Sequence, residues 1–457
     1  MIAGIDLGTS SVKIVCVDRD GSIEKAGCRY QENTVEEWLH AIREAFRQLE
    51  TDKITAISLS SQVGTYIMDG KVCSWRESGG EEELQELQEM FTTEAFVEEI
   101  SMRHPALLSY PIPRIHYLQK RTEPDHIPQD ICQPKECICR YLTGNNLSDP
   151  YSWRGLANQQ TGNYSRKFLT YLGISNQILP RLQSPFQKAG TLLEQAAVEC
   201  GLKPGIPVYT GCNDFYASLI GMGIVKTGDC FDVTGTSEHM GMIAEKLVTD
   251  PKTISSPYMN GFVAYGVTAS SGASLDFGLR EMNLAAVDYE DYRNKKKLPI
   301  FLPYVNGERA PIYDPQAKGV FFGIGADTTR EEMAYAVMEG VAFSIWHIIE
   351  GLPKEKINQI ICAGGATRNR NLLQLKADLF GIPFVRAKEE DTSAYGACMI
   401  GAVGEGWYPD IETAVREMCS YDAPVIPHPN RDLQKRFALY KNIYTDLKKD
   451  FREFNGI

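Results

Sequence analysis

The sequence has no long hydrophobic run, and no stretch approaches the roughly 20 consecutive apolar residues that a membrane-spanning helix needs. Its first residues, MIAGIDLGTSS, lack the basic start and the apolar stretch of a signal peptide. These two absences argue against a membrane protein and against a secreted one. The sequence therefore predicts a cytoplasmic protein.

Cysteine pairs of the kind that bind zinc are also missing, although the chain has 12 cysteines. Most of them lie in apolar stretches, where a reduced thiol behaves as a small hydrophobic residue. The one cluster, Cys132, Cys137 and Cys139, contains no CxxC pair and has no nearby histidine to complete a tetrahedral site. Neither disulfides nor a structural zinc site are indicated.

An excess of positive charge is absent as well. The chain has 47 lysines and arginines against 59 aspartates and glutamates, a formal net charge of -12. Nucleic-acid binding normally requires a basic face, so no nucleic-acid partner is predicted. An acidic protein that binds a polyphosphate must hold it through local backbone dipoles, because salt screens charges beyond roughly 8 Å. This directs attention to glycine-rich turns.

The composition is that of a globular protein, with 43% hydrophobic and 23% charged residues. At 457 residues the chain is longer than one hydrophobic core usually supports, which favours two or more domains. IAGIDLG and VKIVCVD have the pattern of strands, residues 34–50 that of a capped amphipathic helix, and ITAISLSS that of a buried strand. The first half is therefore predicted to be α/β.

The second half repeats this alternation. Residues 231–244 show a strand, a glycine turn and a strand, and a helix from about Arg330 to Glu350 leads into the strand KINQIICAGGA. A second α/β domain follows, with the boundary predicted near Lys226. No linker rich in proline or serine marks this boundary, so we expect the domains to hinge rather than to tumble independently.

A glycine turn between the first two strands has the composition of a phosphate-binding loop. Glycine lets the backbone approach a ligand, the N–H groups of the turn point into one concavity, and hydroxyl groups add donors. A lysine adds a mobile positive charge, and an aspartate at the end of the first strand is suited to hold the Mg²⁺ that accompanies ATP. The residues concerned are Asp6, Gly8, Thr9, Ser10, Ser11 and Lys13.

Two other interpretations of this segment are open. It is an ordinary hairpin turn, or the spacing from Ser10 to Lys13 is the SxxK motif of an acyl-enzyme. The second interpretation requires the start of a helix, whereas Val12, Ile14 and Val15 have the pattern of a strand. We therefore interpret the SxxK match as a coincidence.

Two further glycine segments lie in the second half. Gly235 and Thr236 belong to a turn between two apolar strands, and one such turn in each domain is what a nucleotide clamped in an interdomain cleft requires. In AGGATRNRNLLQLKADLFGIPFV, Gly365 allows adenine or ribose to lie against the backbone, and Asn369 can form a hydrogen bond to it. Each segment alone is equally compatible with a packing turn.

Asp214 ends the segment TGCND, where a strand breaks on a glycine. A carboxylate at a strand end that faces a cleft can accept the proton of an attacking hydroxyl, the role of the general base in phosphoryl transfer. The alternative is that Asp214 is the N-cap of a helix over residues 215–224. Spacing alone does not separate the two.

Five motifs, taken in this order, resemble those of the FGGY carbohydrate kinases, which include xylulokinase, gluconokinase and glycerol kinase. The resemblance spans residues 2–405, and a family signature fits between Gly319 and Glu339. The motifs are DLGTSSVK, GCNDFYASLIGMG, DVTGTSEHMG, FLPYVNGERAPIYDPQAKGVFFGI and AGGATRNRNLLQLKADLFGIP.

The resemblance implies a fold, a reaction and cofactors. The family has two ribonuclease-H-like domains of the actin-like ATPase type with an interdomain cleft. Residues 1–226 are then expected to bind the sugar, and residues 227–457 the nucleotide. The implied reaction is phosphorylation of a hydroxyl of a small sugar, sugar acid or polyol, with a pentulose-like substrate favoured, and the implied cofactors are ATP and Mg²⁺.

The resemblance also implies roles for single residues. Asp214 falls on the catalytic base of the family and Asp6 on its magnesium-associated aspartate. The first phosphate loop of the family falls on Gly8, Thr9, Ser10, Ser11 and Lys13. Its second phosphate loop falls on Gly235 and Thr236, and its adenosine motif falls on Gly365 and Asn369.

The sugar site matches the family less well. Where xylulokinase-like and gluconokinase-like members have a methionine–histidine pair and glycerol kinases have arginine and glutamate, this chain has Val63 and Gly64, whose side chains form no hydrogen bonds. A hydroxyl-rich substrate must therefore find partners elsewhere. The candidates are Gln62, Trp75, Arg76, Asn213 and Asp214, followed by Asp149, Ser152 and Trp153.

Several alternatives stay open at this point. Trp75 stacks on a sugar or belongs to the core, and Arg76 binds a carboxylate or forms a salt bridge. An actin-like or chaperone-like ATPase acting on a protein partner is a rival function, which FLPYVNGERAP argues against. A catalytically silent sugar sensor is another, which intact Asp6 and Asp214 argue against. The sequence does not show which sugar and hydroxyl are used, or whether the chain forms a homodimer.

Overall fold

The computed structural model describes residues 1–103, 107–123, 126–353, 357–428 and 430–456. The chain divides into two compact units. The first unit consists of Met1–Val225, Ser256–Met259 and Asp391–Cys419. The second unit consists of Lys226–Ser255, Asn260–Glu390 and Ser420–Ile457.

Strands and helices alternate in the stretch before Lys226. The strands are β1 (Ile2–Leu7), β2 (Ser11–Val17), β3 (Ile23–Arg29), β4 (Ala56–Ser61), β5 (Tyr66–Met68), β6 (Lys71–Cys73), β7 (Ile131–Cys132), β8 (Leu147–Ser148), β9 (Ala157–Asn158), β10 (Asn163–Tyr164), β11 (Arg181–Leu182), β12 (Lys188–Thr191) and β13 (Pro207–Asn213). The helices are α1 (Val35–Phe46), α2 (Glu81–Met90), α3 (Thr93–Ile100), α4 (Pro111–Gln119), α5 (Pro134–Thr143), α6 (Arg166–Leu172), α7 (Glu194–Cys200) and α8 (Asp214–Met222).

The same alternation continues after Lys226. The strands are β14 (Cys230–Thr234), β15 (Glu238–Ala244), β16 (Ile254–Tyr258), β17 (Gly261–Val267), β18 (Ile300–Leu302), β19 (Val320–Phe322), β20 (Ile360–Gly364) and β21 (Phe384–Arg386). The helices are α9 (Ser271–Glu281), α10 (Arg330–Ile349), α11 (Arg370–Phe380), α12 (Thr392–Gly404), α13 (Ile411–Met418) and α14 (Arg431–Phe454).

The predicted strands and helices are confirmed within the described residues, although the predicted strand KINQIICAGGA begins only at Ile360 and its Lys356 lies outside those residues. IAGIDLG forms β1, and ITAISLSS contains β4; both strands are buried at every position, as expected for strands covered on two faces. The predicted first helix begins after Thr34, whose hydroxyl accepts a hydrogen bond from Glu37 N at 3.3 Å. The hydrophobic spacing of the sequence therefore fixes these elements locally.

The first sheet has the strand order β12-β13-β4-β1-β2-β3. Strands β1, β4 and β13 are parallel, and β2 and β3 continue from β1 as antiparallel neighbours. Asp6 of β1 pairs with Ser60 of β4, and Ser61 of β4 pairs with Asn213 of β13. Because parallel strands end at the same edge of a sheet, Asp6 and Asn213 lie at one edge of this unit.

The second sheet has the strand order β16-β17-β15-β14-β20-β21. Strand β14 is antiparallel to β15 and parallel to β20, and β21 is parallel to β20. The order β17-β15-β14-β20-β21 repeats the order and directions of β3-β2-β1-β4-β13 in the first sheet. Each unit therefore has the same five-stranded arrangement, with a glycine turn after its first strand.

Two glycines explain why residues 391–419 belong to the first unit. A Cβ atom on Gly4 of β1 would lie 2.0 Å from the carbonyl oxygen of Ala394, and one on Gly396 would lie 1.8 Å from that of Ala217. The backbone of α12 therefore packs directly on β1 and α8, at distances that only glycine permits. The sequence analysis places this segment in the second domain, because one boundary along the chain cannot show a later helix returning to the first sheet.

The core of the second unit forms around α10, which is buried along most of its length. Thr329 and Glu332 form a capping box at its start. Aromatic side chains of α14 pack on this helix: Phe437 and Tyr440 lie with their ring centres 5.6 and 5.5 Å from that of Phe343. Across the described ranges, no helix has both the length and the apolar character required to cross a membrane.

Candidate active site

Asp6 lies near the end of β1, beside Ser60 of β4 and Lys13 of β2. Its side chain is buried, and Ser60 Oγ donates a hydrogen bond to its Oδ1 at 3.0 Å. Burial raises the pKa of Asp6 to about 6, Ser60 and Lys13 act in the opposite direction, and the negative charge of Asp391 adds to the rise. Asp6 is therefore a desolvated carboxyl group whose ionised form a cation would stabilise.

Asp214 is the first residue of α8, directly after β13. The N-cap of this helix is Asn213, whose side chain accepts a hydrogen bond from Tyr216 N at 3.1 Å. The alternative interpretation of Asp214 as the N-cap is therefore wrong. The carboxylate of Asp214 accepts a hydrogen bond from Phe215 N at 2.8 Å, which orients it at the start of the helix.

The electrostatic environment of Asp214 favours its protonated form. Burial raises the pKa of Asp214 to about 7, and the negative charge of Asp6 adds to the rise. The backbone N–H of Phe215 and the guanidinium of Arg154 act in the opposite direction. The carboxyl group of Asp6 thus acts on that of Asp214, and the pKa of Asp214 lies in the range that suits a general base at neutral pH.

Hydrogen bonds close the glycine turn between β1 and β2 on one side. Gly8 N donates to Ser11 O at 2.9 Å, and Tyr30 Oη donates to Gly8 O. Trp75 Nε1 donates to Thr9 Oγ1 at 3.1 Å, which ties the turn to a residue predicted to bind the sugar. Ser10, at the tip of the turn, is exposed. The phosphate-binding role of Gly8, Thr9, Ser10 and Ser11 stays a prediction.

Lys13 lies on β2 directly opposite Asp6. Its side chain is about half exposed, at 51%, and Nζ forms an ion pair with Asp391 Oδ1 at 2.8 Å. Because Lys13 lies on a strand and not on a helix, the SxxK alternative is wrong. The lysine remains available for the predicted phosphate contact if its ion pair with Asp391 opens.

The predicted sugar-binding residues gather at the end of β1. Gln62 N donates to Leu7 O at 2.8 Å, and the buried Gln62 side chain accepts a bond from Thr65 Oγ1 at 3.4 Å. Its Nε2 has no hydrogen-bond partner within the described part of the chain. Trp75 is 40% exposed, so its assignment to the core is wrong. Arg76 is exposed, with its guanidinium carbon 5.5 Å from the centre of the Trp75 ring.

Other sugar candidates have internal partners. Asn213 uses its oxygen as the N-cap of α8 and donates from Nδ2 to Tyr151 O at 2.8 Å. Asp149 accepts three hydrogen bonds from the next turn and forms a fully buried ion pair with Lys135 at 2.9 Å. Trp153 is completely buried. The structure thus gives Asp149 and Trp153 supporting contacts, while the sugar-binding role of Asn213 stays a prediction.

Several residues at this edge were missed by the sequence analysis. Ser60 bonds to Asp6, and Asp391 pairs with Lys13 across 378 positions of the chain. Arg154 is buried against aromatic rings, 5.3 Å from the centre of the Tyr216 ring, and its charge acts on the candidate base. No local pattern marks these residues, because they are brought to the site only by the sheet and by α12.

The second glycine turn lies between β14 and β15, as predicted. At the start of α9, Gly272 N donates to Gly235 O at 3.2 Å and Ala273 N donates to Thr236 O at 3.3 Å. A Cβ atom on Gly272 would lie 2.2 Å from Gly235 O, so only glycine permits this approach. Gly272 is a further residue that the sequence analysis missed. The role of Gly235 and Thr236 in phosphate binding stays a prediction.

The predicted adenosine segment lies beside this turn in the second unit. Gly364 has a φ of 98°, and a Cβ atom there would lie 1.9 Å from Thr234 O. Ala366 N donates to Thr234 Oγ1 at 3.1 Å. Asn369 is the N-cap of α11, so its oxygen is used while its amide hydrogens are not needed for the cap. A Cβ atom on Gly365 would meet no described atom within 4 Å, which leaves room for a flat ligand at this position.

A surface cavity elsewhere in the first unit contains none of the predicted site residues. Its volume is about 1150 Å³, and its lining comes from residues between Asn146 and Leu182. The residues predicted to form the active site therefore do not line this cavity.

Comparisons with known proteins identify the family. The chain matches the N-terminal domain of the FGGY family of carbohydrate kinases over residues 1–221 and the C-terminal domain of this family over residues 232–405. Together these matches cover most of the chain. The protein therefore belongs to the FGGY family of carbohydrate kinases, which are phosphotransferases.

Individual relatives agree with this assignment. A xylulose kinase of Staphylococcus xylosus is 27% identical over 486 residues, covering 97% of this chain and 99% of the relative. The structures of a gluconate kinase and of a ligand-bound xylulose kinase, both from Lactobacillus acidophilus, have TM-scores of 0.88 and 0.90 at 24% identity. Each comparison covers 99% of both chains. The predicted fold class, two α/β domains of the actin-like ATPase type, is confirmed.

Proposed function

We propose that this chain transfers the γ-phosphoryl group of ATP to a hydroxyl of a small sugar, sugar acid or polyol, with Asp214 as the general base. The observation that carries the proposal is the position of this carboxylate. It follows β13 at the same sheet edge as Asp6, it is not needed as the helix cap, and its pKa is about 7. At neutral pH such a group exchanges a proton readily with a hydroxyl that it contacts.

Asp6 is the residue suited to the magnesium ion of MgATP. Its carboxylate is a hard oxygen ligand of the kind that Mg²⁺ binds directly or through water. The fit rests on the buried position of Asp6 and on the neighbouring charge of Asp391, both of which disfavour the ionised form without a cation. When bound, the metal would neutralise charge on the phosphates, and Asp6 would hold and orient it.

The two glycine turns would bind the phosphates through backbone amides. The Gly8–Ser11 turn adds hydroxyl groups and is followed by Lys13, whose positive charge attracts the negative charge of a phosphate. The Gly235–Ser237 turn in the second unit is held by the start of α9 and lies beside the adenosine segment. Backbone donors suit a protein of net charge -12, because they attract phosphate without requiring a basic surface.

We propose a pentulose-like substrate. The named xylulose kinases among the relatives support this class, and so does the local chemistry. Trp75 offers a half-exposed ring face beside the first glycine turn, and Gln62 offers an unused amide donor near the same strand end. A sugar acid is the alternative, because the exposed Arg76 can bind a carboxylate.

The test measures release of ADP by a coupled assay, with and without a panel of ketopentoses, aldonates and polyols. A kinase releases ADP only when its sugar is present, and the sugar with the highest kcat/KM names the substrate class. Equal ADP release without any sugar would favour the rival ATPase. Sugar binding measured by calorimetry without any ADP release would favour the silent sensor.

A further inference from the structure

Three ionisable side chains meet in the interior of the second unit. Lys376 Nζ donates one hydrogen bond to Asp232 Oδ2 at 2.7 Å and a second to Glu238 Oε1. None of the three side chains has any exposed surface. The other oxygen of Glu238 accepts a hydrogen bond from Ser271 Oγ. We call Asp232, Glu238 and Lys376 the buried trio.

The pKa values of the two acids of the buried trio are shifted in opposite directions. Burial raises the pKa of Asp232 well above its usual value, and the negative charge of Glu238 adds to this rise. Burial acts on Glu238 in the same direction, but Lys376, Asp232 and Ser271 together hold its pKa below the usual value. A protonated Asp232, an ionised Glu238 and a charged Lys376 leave the trio neutral.

The position of the buried trio indicates its role more clearly than its contribution to stability does. Asp232 lies on β14 and Glu238 begins β15, so the two acids flank the Gly235–Ser237 turn. Ser271 begins α9, the helix whose next two amides donate to the carbonyl groups of that turn. Lys376 lies on α11, the helix that starts at the adenosine segment. The trio therefore connects all four elements around the predicted nucleotide site of this unit.

A purely structural role does not require charges at these positions. Burying ions costs several kcal/mol each, and apolar residues of similar volume in place of a buried ion pair are often neutral or stabilising. Apolar residues pack in several arrangements, whereas hydrogen bonds from one ammonium group to two carboxyl groups fix distance and direction. What the charges add is a defined position of α11 and α9 relative to the turn.

We infer that Lys376 is a positioning residue for the nucleotide. By pairing with Asp232 and Glu238 it holds the Gly235–Ser237 turn, the start of α9 and the adenosine segment in the arrangement that binds ATP. This inference rests on the proposed function, in which that turn binds phosphate.

The test replaces the buried trio by apolar residues in the triple variant Asp232→Leu/Glu238→Met/Lys376→Met. Thermal unfolding of this variant is expected to remain close to that of the wild type. Its dissociation constant for MgADP, measured by calorimetry, and its KM for ATP are expected to rise roughly ten- to hundredfold, because small misplacements of binding groups have effects of this size. The KM for the sugar is expected not to change.

A matched control and a milder variant complete the design. Glu339 and Arg436 form an ion pair of the same unit at 2.5 Å, in which Glu339 is buried and Arg436 is 19% exposed, and Glu339→Met/Arg436→Met is expected to leave the MgADP affinity unchanged. Ser271→Ala removes only one hydrogen bond from the trio. It is expected to raise the dissociation constant for MgADP several-fold, which corresponds to the loss of about one hydrogen bond. If the triple variant does not fold, the serine variant decides the question.

Wild-type MgADP affinity in a folded triple variant, or in Ser271→Ala when the triple variant does not fold, would overturn the inference. An equal loss of affinity in the control pair would do the same, because the effect would then follow from any buried ion pair. A wild-type protein that binds no MgADP would instead remove the proposed function. Binding by the wild type, weakened by Gly272→Ala but not by the trio variants, would remove the positioning role alone.

Discussion

Replacing Asp214 by asparagine removes one charge and preserves the shape of the side chain. The amide oxygen can still accept the hydrogen bond from Phe215 N, and Asn213 remains the N-cap of α8. We therefore expect the start of this helix to keep its structure. The variant loses only the ability to take a proton from a hydroxyl group of the substrate.

The expected kinetic effect is large and confined to the chemical step. A general base contributes roughly 10²–10⁴ in rate, or about 3–5 kcal/mol, so kcat for sugar phosphorylation should fall by that factor. MgADP should still bind, because the groups proposed to hold the phosphates and the metal ion are the glycine turns, Lys13 and Asp6. In the wild type, kcat/KM should rise with pH and level off above about 7, where Asp214 is ionised.

The same substitution has an expected effect on stability. Burial raises the pKa of Asp214 from 3.8 to about 7, so between these values the folded state holds a proton that the unfolded state has lost. The stabilisation from this group is present in full below 3.8 and is lost as the pH rises through about 7. The rise in pKa corresponds to at most about 4 kcal/mol, and solvent at the partly exposed side chain reduces that figure.

Asparagine has no charge to bury, so the variant should unfold at a higher temperature than the wild type at about pH 8 and at a similar temperature below about pH 4. Glu98→Gln is the control, since it removes one exposed carboxylate from α3. It should change neither kcat nor the pH dependence of stability. Wild-type kcat in Asp214→Asn would refute the assignment of the base, and an equal Tm difference at both pH values would refute the burial argument.

Substitutions at three residues test the turns and the sugar site. Lys13→Met should raise the KM for ATP roughly tenfold or more, the loss of one charge-assisted contact, and unchanged ATP kinetics would remove this lysine from phosphate binding. Gly272→Ala should lower the affinity for MgADP measured by calorimetry, because its Cβ atom would lie 2.2 Å from Gly235 O. Wild-type affinity in this variant would show that the turn can move without a loss of MgADP binding. Trp75→Phe removes the bond to Thr9 and keeps a ring face, so it should raise the sugar KM only about fivefold, whereas Trp75→Ala should raise it far more; equal values would argue against stacking.

The secondary structure was predictable wherever a local hydrophobic pattern determines it. β1 and β4 are short, mostly apolar at their starts and buried at every position, and the helix after Thr34 has both a cap and an amphipathic spacing. The return of α12 to the first sheet was not predictable in this way. It depends on close backbone contacts at Gly4 and Gly396, and a glycine in the sequence does not reveal which distant backbone approaches it.

The candidate site was predictable where the backbone carries the chemistry. Glycine turns after strands, and a carboxylate at a strand end, are visible in the sequence as short motifs. The partners of these groups were not visible: Asp391 reaches Lys13, and Arg154 influences Asp214, through contacts made across the fold. The solvent exposure of the side chains was not predictable either, because the sequence alone does not distinguish a tryptophan such as Trp75 in a core from one at a binding face.

The two glycine turns differ in the number of positions by which an aspartate precedes them. Both have the sequence Gly-Thr-Ser after the first strand of their sheet, but an aspartate precedes the glycine by two positions in the first turn, at Asp6, and by three in the second, at Asp232. Because successive side chains of a strand point to opposite faces, this difference of one position places the two acids on opposite faces relative to their turns. Asp6 thereby reaches the sheet edge where Asp214 lies, whereas Asp232 points into the interior and pairs with Lys376. The first turn thus has a carboxyl group at the sheet edge beside it, and the second has a buried carboxyl group that is hydrogen-bonded to Lys376, although the tripeptides themselves are identical.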